Sequence, residues 1–216
     1  MTAPVYVFDA YGTLFDVHSA VARHRDLVGP QADRMSMLWR TKQLEYTWTR
    51  SLMGAYRDFD RLTEDALDFA AATCGGITVH ARAALLNAYA TLSAYPDVIP
   101  ALETLRARGA HAVILSNGTA RTLGGAMRSA GLTNLLDPPL SVDPLQQYKT
   151  VATAYDLVCI RYGVAPDAIS FQSSNRWDIA GAARFGFRTV WINRAGAPDE
   201  YPDLPAQRVI TSLLDL

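Results

Sequence analysis

Short apolar runs rich in β-branched and aromatic residues recur along the chain at Val5–Asp9, His111–Ser116, Ile169–Ser173 and Thr189–Asn193, with a weaker one near Val209. Runs of this length and composition predict strands buried on both faces. Elsewhere the apolar residues fall into the helical period, over Ala101–Arg108, Arg121–Ala130, Val151–Tyr162 and Asp178–Phe185. Each of these segments runs up to a glycine (Gly109, Gly131, Gly163 or Gly186) able to take the left-handed conformation past a last turn. Strands alternating with helices predict an α/β fold built on a doubly wound parallel sheet.

The stretch before Tyr95-Pro96-Asp97 breaks this alternation, because it keeps the helical period and contains no convincing strand. It predicts a helical cap over residues 17–93, inserted after the first strand of a Rossmann-like core made of 1–16 and 94–216. Within it, Ser36–Met53 lacks Gly and Pro, and Leu38, Trp39, Tyr46 and Met53 recur at roughly helical spacing, which predicts one long helix. Residues three and four apart share a face, so Arg40 stands with Leu44, Thr47 and Ser51 beside the apolar stripe. An arginine there either overlooks a cleft or snorkels to solvent.

With 216 residues, half of them apolar, the chain can bury one core and a small second unit. Twenty basic and 21 acidic residues nearly cancel without runs of like charge, so neither nucleic acid nor a membrane surface is an expected partner. Cys74 and Cys159 lack metal-ligand or redox spacing, which favours two reduced thiols and a cytoplasmic location. No basic leader or cleavage site is visible, and no run approaches the ~20 apolar residues of a spanning helix.

In open α/β sheets, ligands bind beyond the carboxyl ends of the strands, near the switch point. Asp9 stands at such an end and opens Asp9-Ala10-Tyr11-Gly12-Thr13-Leu14-Phe15-Asp16, which makes it a candidate nucleophile. The plain alternative is an aspartate capping a turn. Two further strand ends carry polar groups: Leu115-Ser116-Asn117-Gly118, and Phe171-Gln172-Ser173-Ser174-Asn175-Arg176-Trp177-Asp178. Between them, Lys149 lies in a loop and Tyr155 in a helix that Thr150 is placed to cap.

Phe8-Asp9-Ala10-Tyr11-Gly12-Thr13-Leu14 resembles the first motif of the haloacid dehalogenase superfamily, whose leading aspartate forms a covalent intermediate. Phosphatases of that superfamily carry a second aspartate two positions on, to protonate the leaving alcohol; here Tyr11 stands there. Halide leaves without a proton, so this loop resembles the L-2-haloacid dehalogenase branch. Further similarities follow in that family's order: Trp39-Arg40, Lys42-Gln43-Leu44-Glu45-Tyr46-Thr47-Trp48, Ser116-Asn117-Gly118, Ser141-Val142-Asp143, Tyr148-Lys149, Tyr155, and Ser173-Ser174-Asn175 with Trp177-Asp178. One short motif matches by accident easily; several in order do not.

The resemblance implies hydrolysis of short L-2-haloalkanoates to D-2-hydroxyalkanoates with inversion, through an aspartyl ester on Asp9 and without cofactor or metal. It implies that Arg40 and Asn117 cradle halide, and that Ser116 and Lys149 hold the substrate carboxylate. Asp178, positioned by Ser173 and Asn175, would orient or activate the hydrolytic water, with Thr13 among the neutral donors and Tyr155 acting behind Lys149. Substrate contacts would come from Ala10, Tyr11, Arg40, Leu44, Phe59, Ser116, Asn117, Lys149 and Trp177, with Leu44, Phe59 and Trp177 walling the alkyl pocket. The implied reaction brings two carboxylates together, and like charges ~4 Å apart at an effective dielectric near 20 repel by roughly 4 kcal/mol. At ~1.4 kcal/mol per tenfold of rate that is about a thousandfold, so cations such as Lys149 and Arg40 are needed.

The chain departs from the family where Lys149 is followed by Thr150-Val151-Ala152-Thr153-Ala154 instead of a Pro-containing stretch, and where Thr41 replaces a frequent glutamine. These departures bear on substrate size more than on chemistry. They leave three rivals: a magnesium-dependent phosphatase, a hydrolase opening a strained cyclic amino acid, and a non-enzymatic binder. Relatives are often homodimers, and the aromatic- and Met-rich cap helix suits either a dimer face or an intramolecular one.

Overall fold

A computed structural model describes residues 3–216. Its strands are β1 (Val5–Phe8), β2 (His111–Ser116), β3 (Leu140–Ser141), β4 (Ile169–Ser173), β5 (Arg188–Ile192) and β6 (Arg208–Ile210). All pair in parallel, in the order β3-β2-β1-β4-β5-β6. Chain order reverses between β1 and β4, which puts the switch point of this doubly wound sheet directly beyond Phe8 and Ser173. The central strands are buried almost throughout, as the continuous apolar runs require. The two-residue β3 was not expected, being too short to carry a pattern.

The helices are α1 (Ser19–Ala22), α2 (Arg25–Val28), α3 (Ala32–Met53), α4 (Phe59–Thr73), α5 (Val79–Ala90), α6 (Val98–Ala107), α7 (Ala120–Ser129), α8 (Ala152–Tyr162) and α9 (Arg176–Phe185). Between β1 and α6 the chain is helical, and its outgoing and returning segments touch: Asp16 donates its backbone N–H to Ser93 (2.9 Å) and Tyr95 to Leu14 (3.0 Å). Side-chain caps start α4 at Asp58, α5 at Thr78 and α7 at Thr119. No helix among the described residues is long and apolar enough to cross a membrane.

Several helix starts differ from expectation. α6 begins at Val98, not Ala101, because Pro100 falls in its first turn, where proline is tolerated. α9 begins at Arg176, so Asp178 sits within its first turn, where a carboxylate meets the positive end of the helix dipole. α3 begins at Ala32, and its buried face runs through Met35, Ser36, Trp39, Gln43 and Thr47, while Met53 is exposed. The expected apolar stripe is therefore replaced by a partly polar one. Thr150 does not cap α8: the N-cap is Val151 and makes no side-chain bond.

Contacts between α3, α4 and the sheet side close the molecule over the switch point. Asp60 at the start of α4 accepts from the hydroxyls of Thr119 (3.1 Å) and Thr122 (2.8 Å) and from Arg121 (2.9 Å). Tyr148 donates its hydroxyl to the Arg57 carbonyl (2.6 Å) and its backbone N–H to Ser51 (3.1 Å), and Tyr56 bonds Asp143.

Candidate active site

Asp9 follows β1 immediately, with its N–H bonded to the Gln172 carbonyl of β4 (2.9 Å) and only 5% of its surface exposed. The chain then turns through Gly12, whose φ of 88° suits glycine, and brings Thr13 back beneath the carboxylate. Oδ2 of Asp9 accepts from three neutral donors: Asn175 Nδ2 (2.7 Å), Thr13 Oγ1 (3.1 Å) and Ser173 Oγ (3.5 Å). The Thr13 hydroxyl must donate there, because its lone pair receives the Ser174 N–H (2.8 Å). Among the described residues Oδ1 has a single partner, Lys149 Nζ at 3.2 Å. One oxygen is thus tied down and the other retains free lone pairs.

Lys149 is completely buried, and its ammonium bridges Asp9 and Asp178 (2.8 Å). Burial works against its charge, but attraction from Asp178 and Asp9 prevails and holds its pKa above the ordinary lysine value. Its backbone N–H donates to Asn117 Oδ1 (3.0 Å), which ties the lysine loop to the end of β2. The other oxygen of Asp178 accepts the Tyr155 hydroxyl (2.8 Å). Burial, outweighing the pull of Lys149 and reinforced by the charge of Asp9, pushes the Asp178 pKa up to about 6. Burial thus brings Asp178 nearer than an ordinary carboxylate to taking a proton at neutral pH.

These contacts correct one expected role. Ser173 and Asn175 hold Asp9 rather than positioning Asp178 with their side chains, because the early start of α9 carries the Asp178 carboxylate away from them toward Lys149 and Tyr155. Tyr155 reaches Lys149 only through Asp178. The close approach needs Gly181 on α9, where a Cβ would lie 2.4 Å from the Tyr155 hydroxyl and 2.8 Å from Thr150.

Arg40 enters from α3. Its Nη2 donates to the Tyr11 carbonyl (3.1 Å) and Asn175 Oδ1 (3.4 Å), and its Nη1 to Gln43 Oε1 (2.9 Å). Among the described residues it pairs with no carboxylate. A half-buried guanidinium held only by neutral oxygens is a ready counter-charge for an arriving anion. Tyr11 replaces a carboxyl with a ring wedged between Phe59 (centroids 5.1 Å) and Tyr89 (5.6 Å).

A tight cavity of about 10 Å³ joins these parts, lined by Asp9, Tyr11, Arg40, Leu44, Phe59, Ser116, Asn117 and Trp177. Every one of these residues was expected at the site. Ala10 is buried behind it. Ser116 is fully buried, and its Oγ accepts the Gly118 N–H (3.1 Å). Gln43 and Arg176 were not anticipated. Arg176 clamps the later loop through Asp199 (2.6 Å) and the carbonyls of Tyr201 and Leu204, next to Trp177. For Gln43 the sequence signal was its place in the family-like stretch Lys42–Trp48, three residues from Arg40, where it was given no role.

Residues 4–186 match the haloacid dehalogenase-like hydrolase family. The chain is 48% identical over 211 residues to (S)-2-haloacid dehalogenase 1 of Pseudomonas sp. (strain CBS-3), covering 97% of this chain and 93% of that protein. Among solved structures, a dehalogenase at 47% identity superposes with a TM-score of 0.96, covering 99% of this chain and 95% of its own. L-2-haloacid dehalogenase from Xanthobacter autotrophicus with chloropropionic acid covalently bound superposes with a TM-score of 0.90 at 33% identity, covering 99% and 96%.

Proposed function

The chain belongs to the haloacid dehalogenase-like hydrolases, and we propose that it acts on carbon–halide bonds, converting short L-2-haloalkanoates to D-2-hydroxyalkanoates through an ester on Asp9. The observation that carries this reading is the asymmetry of the Asp9 carboxylate that lines the cavity, with Oδ2 bound by three neutral donors and Oδ1 by Lys149 alone among the described residues.

In the first step Oδ1 attacks C2 opposite the carbon–halogen bond; the C–O bond forms as the C–X bond breaks, and configuration inverts once. Halide departs with the bonding pair toward Arg40 and Asn117, while Ser116 and the remaining N–H of Lys149 receive the substrate carboxylate. In the second step water adds to the Asp9 carbonyl carbon. Negative charge then collects on Oδ2, where Thr13, Ser173 and Asn175 already stand as an oxyanion hole. Asp178, with a pKa of about 6, accepts the water's proton and returns it as the hydroxyacid leaves. The alkyl–oxygen bond made in the first step survives, so the second leaves configuration at C2 untouched.

The reading treats residues 17–93 as a cap closing over a core of 1–16 and 94–216. A cytoplasmic location fits the reduced cysteines, and a homodimer through the cap fits the exposure of Met37, Leu52, Met53 and Phe69 on α3 and α4.

Halide release is measured with each isomer of 2-chloropropionate, with and without chelator. Release from the L isomer alone, unchanged by chelator, is expected, and Asp9→Asn should lower it by on the order of 10⁴-fold or more. In a single turnover in heavy-oxygen water the label should enter Asp9 first. Label passing straight into product would exclude the ester.

A further inference from the structure

Gln43 is completely buried on α3 one turn beyond Arg40, and an uncharged amide in that position needs partners for both ends. The direction of its hydrogen bonds is fixed from outside. The Thr63 hydroxyl donates to the Phe59 carbonyl (2.7 Å), so what it presents to Gln43 is a lone pair, which receives Nε2–H at 2.6 Å. The other end of the amide is therefore the oxygen. Oε1 accepts from Arg40 Nη1 (2.9 Å) and from the Tyr89 hydroxyl (3.0 Å). The reversed amide would set an N–H₂ against the guanidinium, donor against donor, and its oxygen against the Thr63 lone pair, acceptor against acceptor. Helices α3, α4 and α5 thus meet at one amide whose oxygen is held toward the guanidinium and the Tyr89 hydroxyl.

We propose that Gln43 is a positioning residue for halide expulsion. It holds one arm of the Arg40 guanidinium while the Tyr11 carbonyl and Asn175 hold the other, so the N–H groups left over face the departing halide without reorganisation. This rests on the dehalogenase reading above. Because Arg40 meets charge that develops only as the carbon–halogen bond breaks, loosening it slows ester formation and leaves ester hydrolysis alone. The slowing is greater for chloride, a compact and poorer leaving group, than for bromide.

Rapid-quench single turnovers with L-2-chloro- and L-2-bromopropionate test this on Gln43→Met, which fills the same space without an acceptor, and on Thr63→Val, which removes the lone pair that orients the amide. For Gln43→Met, ester formation from the chloro acid should fall about tenfold to a hundredfold, less than the 10²–10³ lost with a direct charge-stabilising donor. The bromo acid should lose several-fold less, and ester hydrolysis should stay within about twofold. Thr63→Val should give the same halide-dependent pattern at smaller size, and it keeps the test open if Gln43→Met does not fold. Equal losses for both halides, or a loss in the hydrolytic step, would overturn the proposal. A wild-type chain that releases no halide would instead overturn the dehalogenase reading on which it stands.

Discussion

The two halves of the site are held by different physics. On the sheet side, Asp9, Lys149 and Asp178 form a buried ionic cluster, two carboxylates sharing one ammonium with Tyr155 closing the far end. On the helical side, Arg40 is fixed by an amide, a carbonyl and a second amide, none of them charged. The difference follows when each charge is needed. In the proposed reaction the sheet side holds an anion at every stage, Asp9 and Asp178 at rest and then the substrate carboxylate beside the neutral ester, so its compensation is permanent. In that reaction the helical side meets an anion only while halide departs, and Arg40 pairs with no carboxylate among the described residues.

The sharpest test of this contrast separates activity from stability. Lys149→Met leaves two carboxylates buried without their cation, a change that costs about 3–5 kcal/mol when one partner of a buried pair is removed. Arg40→Met strands nothing comparable: Gln43 Oε1 keeps the Tyr89 hydroxyl, and the Tyr11 carbonyl keeps Asn175 Nδ2. Its stability change should stay within about 1 kcal/mol. Both variants should lose about 10²–10³ in kcat or more. Urea unfolding at pH 7.5 alongside halide release decides the matter, and equal destabilisation by the two would erase the distinction between the halves.

Acid should separate the two halves next, with a smaller effect. With a pKa of about 6, Asp178 becomes protonated as pH falls through that value and can no longer take the water's proton. Ester hydrolysis should therefore fall tenfold per pH unit below about 6, while ester formation, which relies on Arg40, lacks that limb. Stability moves the opposite way. Asp178 holds its proton more tightly folded than at the ordinary value of 3.8, so the stability it contributes is fully present below 3.8 and is lost as pH rises through about 6. Quenched-flow rates for each step from pH 5 to 8 provide the check; an acid limb shared by both steps would assign the titration elsewhere.

The same contrast governs what could be read from the chain. Sheet-side residues lie at strand ends, and strands announce themselves as apolar runs, so Asp9, Ser116 and Ser173 could be placed together before any coordinates. Roles that depend on side-chain direction were harder. The resemblance implied that Ser173 and Asn175 position Asp178, yet one turn of α9 sends Asp178 to Lys149 and leaves the other two on Asp9. Gln43 stood in the family-like stretch Lys42–Trp48 without a role, because its partners come from three helices and a polar residue on a half-polar helix looks like a solvated one. β3 and the first turns of α6 and α9 were missed because two residues carry no period and polar or proline residues in a first turn imitate a loop.

Tyr11 belongs to both halves and gives the smallest and most discriminating effect. Its carbonyl serves Arg40 and Asn175, while its hydroxyl is buried without a hydrogen-bond partner among the described residues. Burial, with Tyr89 and Asp60 adding to it, raises its pKa well above 10.0, so the hydroxyl keeps its proton and remains an unmet donor. Removing an unsatisfied buried polar group while keeping its shape relieves a penalty of about 1–3 kcal/mol. Tyr11→Phe preserves the ring between Phe59 and Tyr89 and both backbone contacts, so it should stabilise the fold by about 1 kcal/mol. Because the Tyr11 hydroxyl bonds none of the site's residues and the ring that lines the cavity is kept, kcat should stay within about threefold, a change of less than 1 kcal/mol in the barrier. A tenfold loss of kcat with unchanged stability would mean that the hydroxyl finds its partner in the substrate, and the line between a charged sheet side and a neutral helical side would then have to be redrawn through this ring.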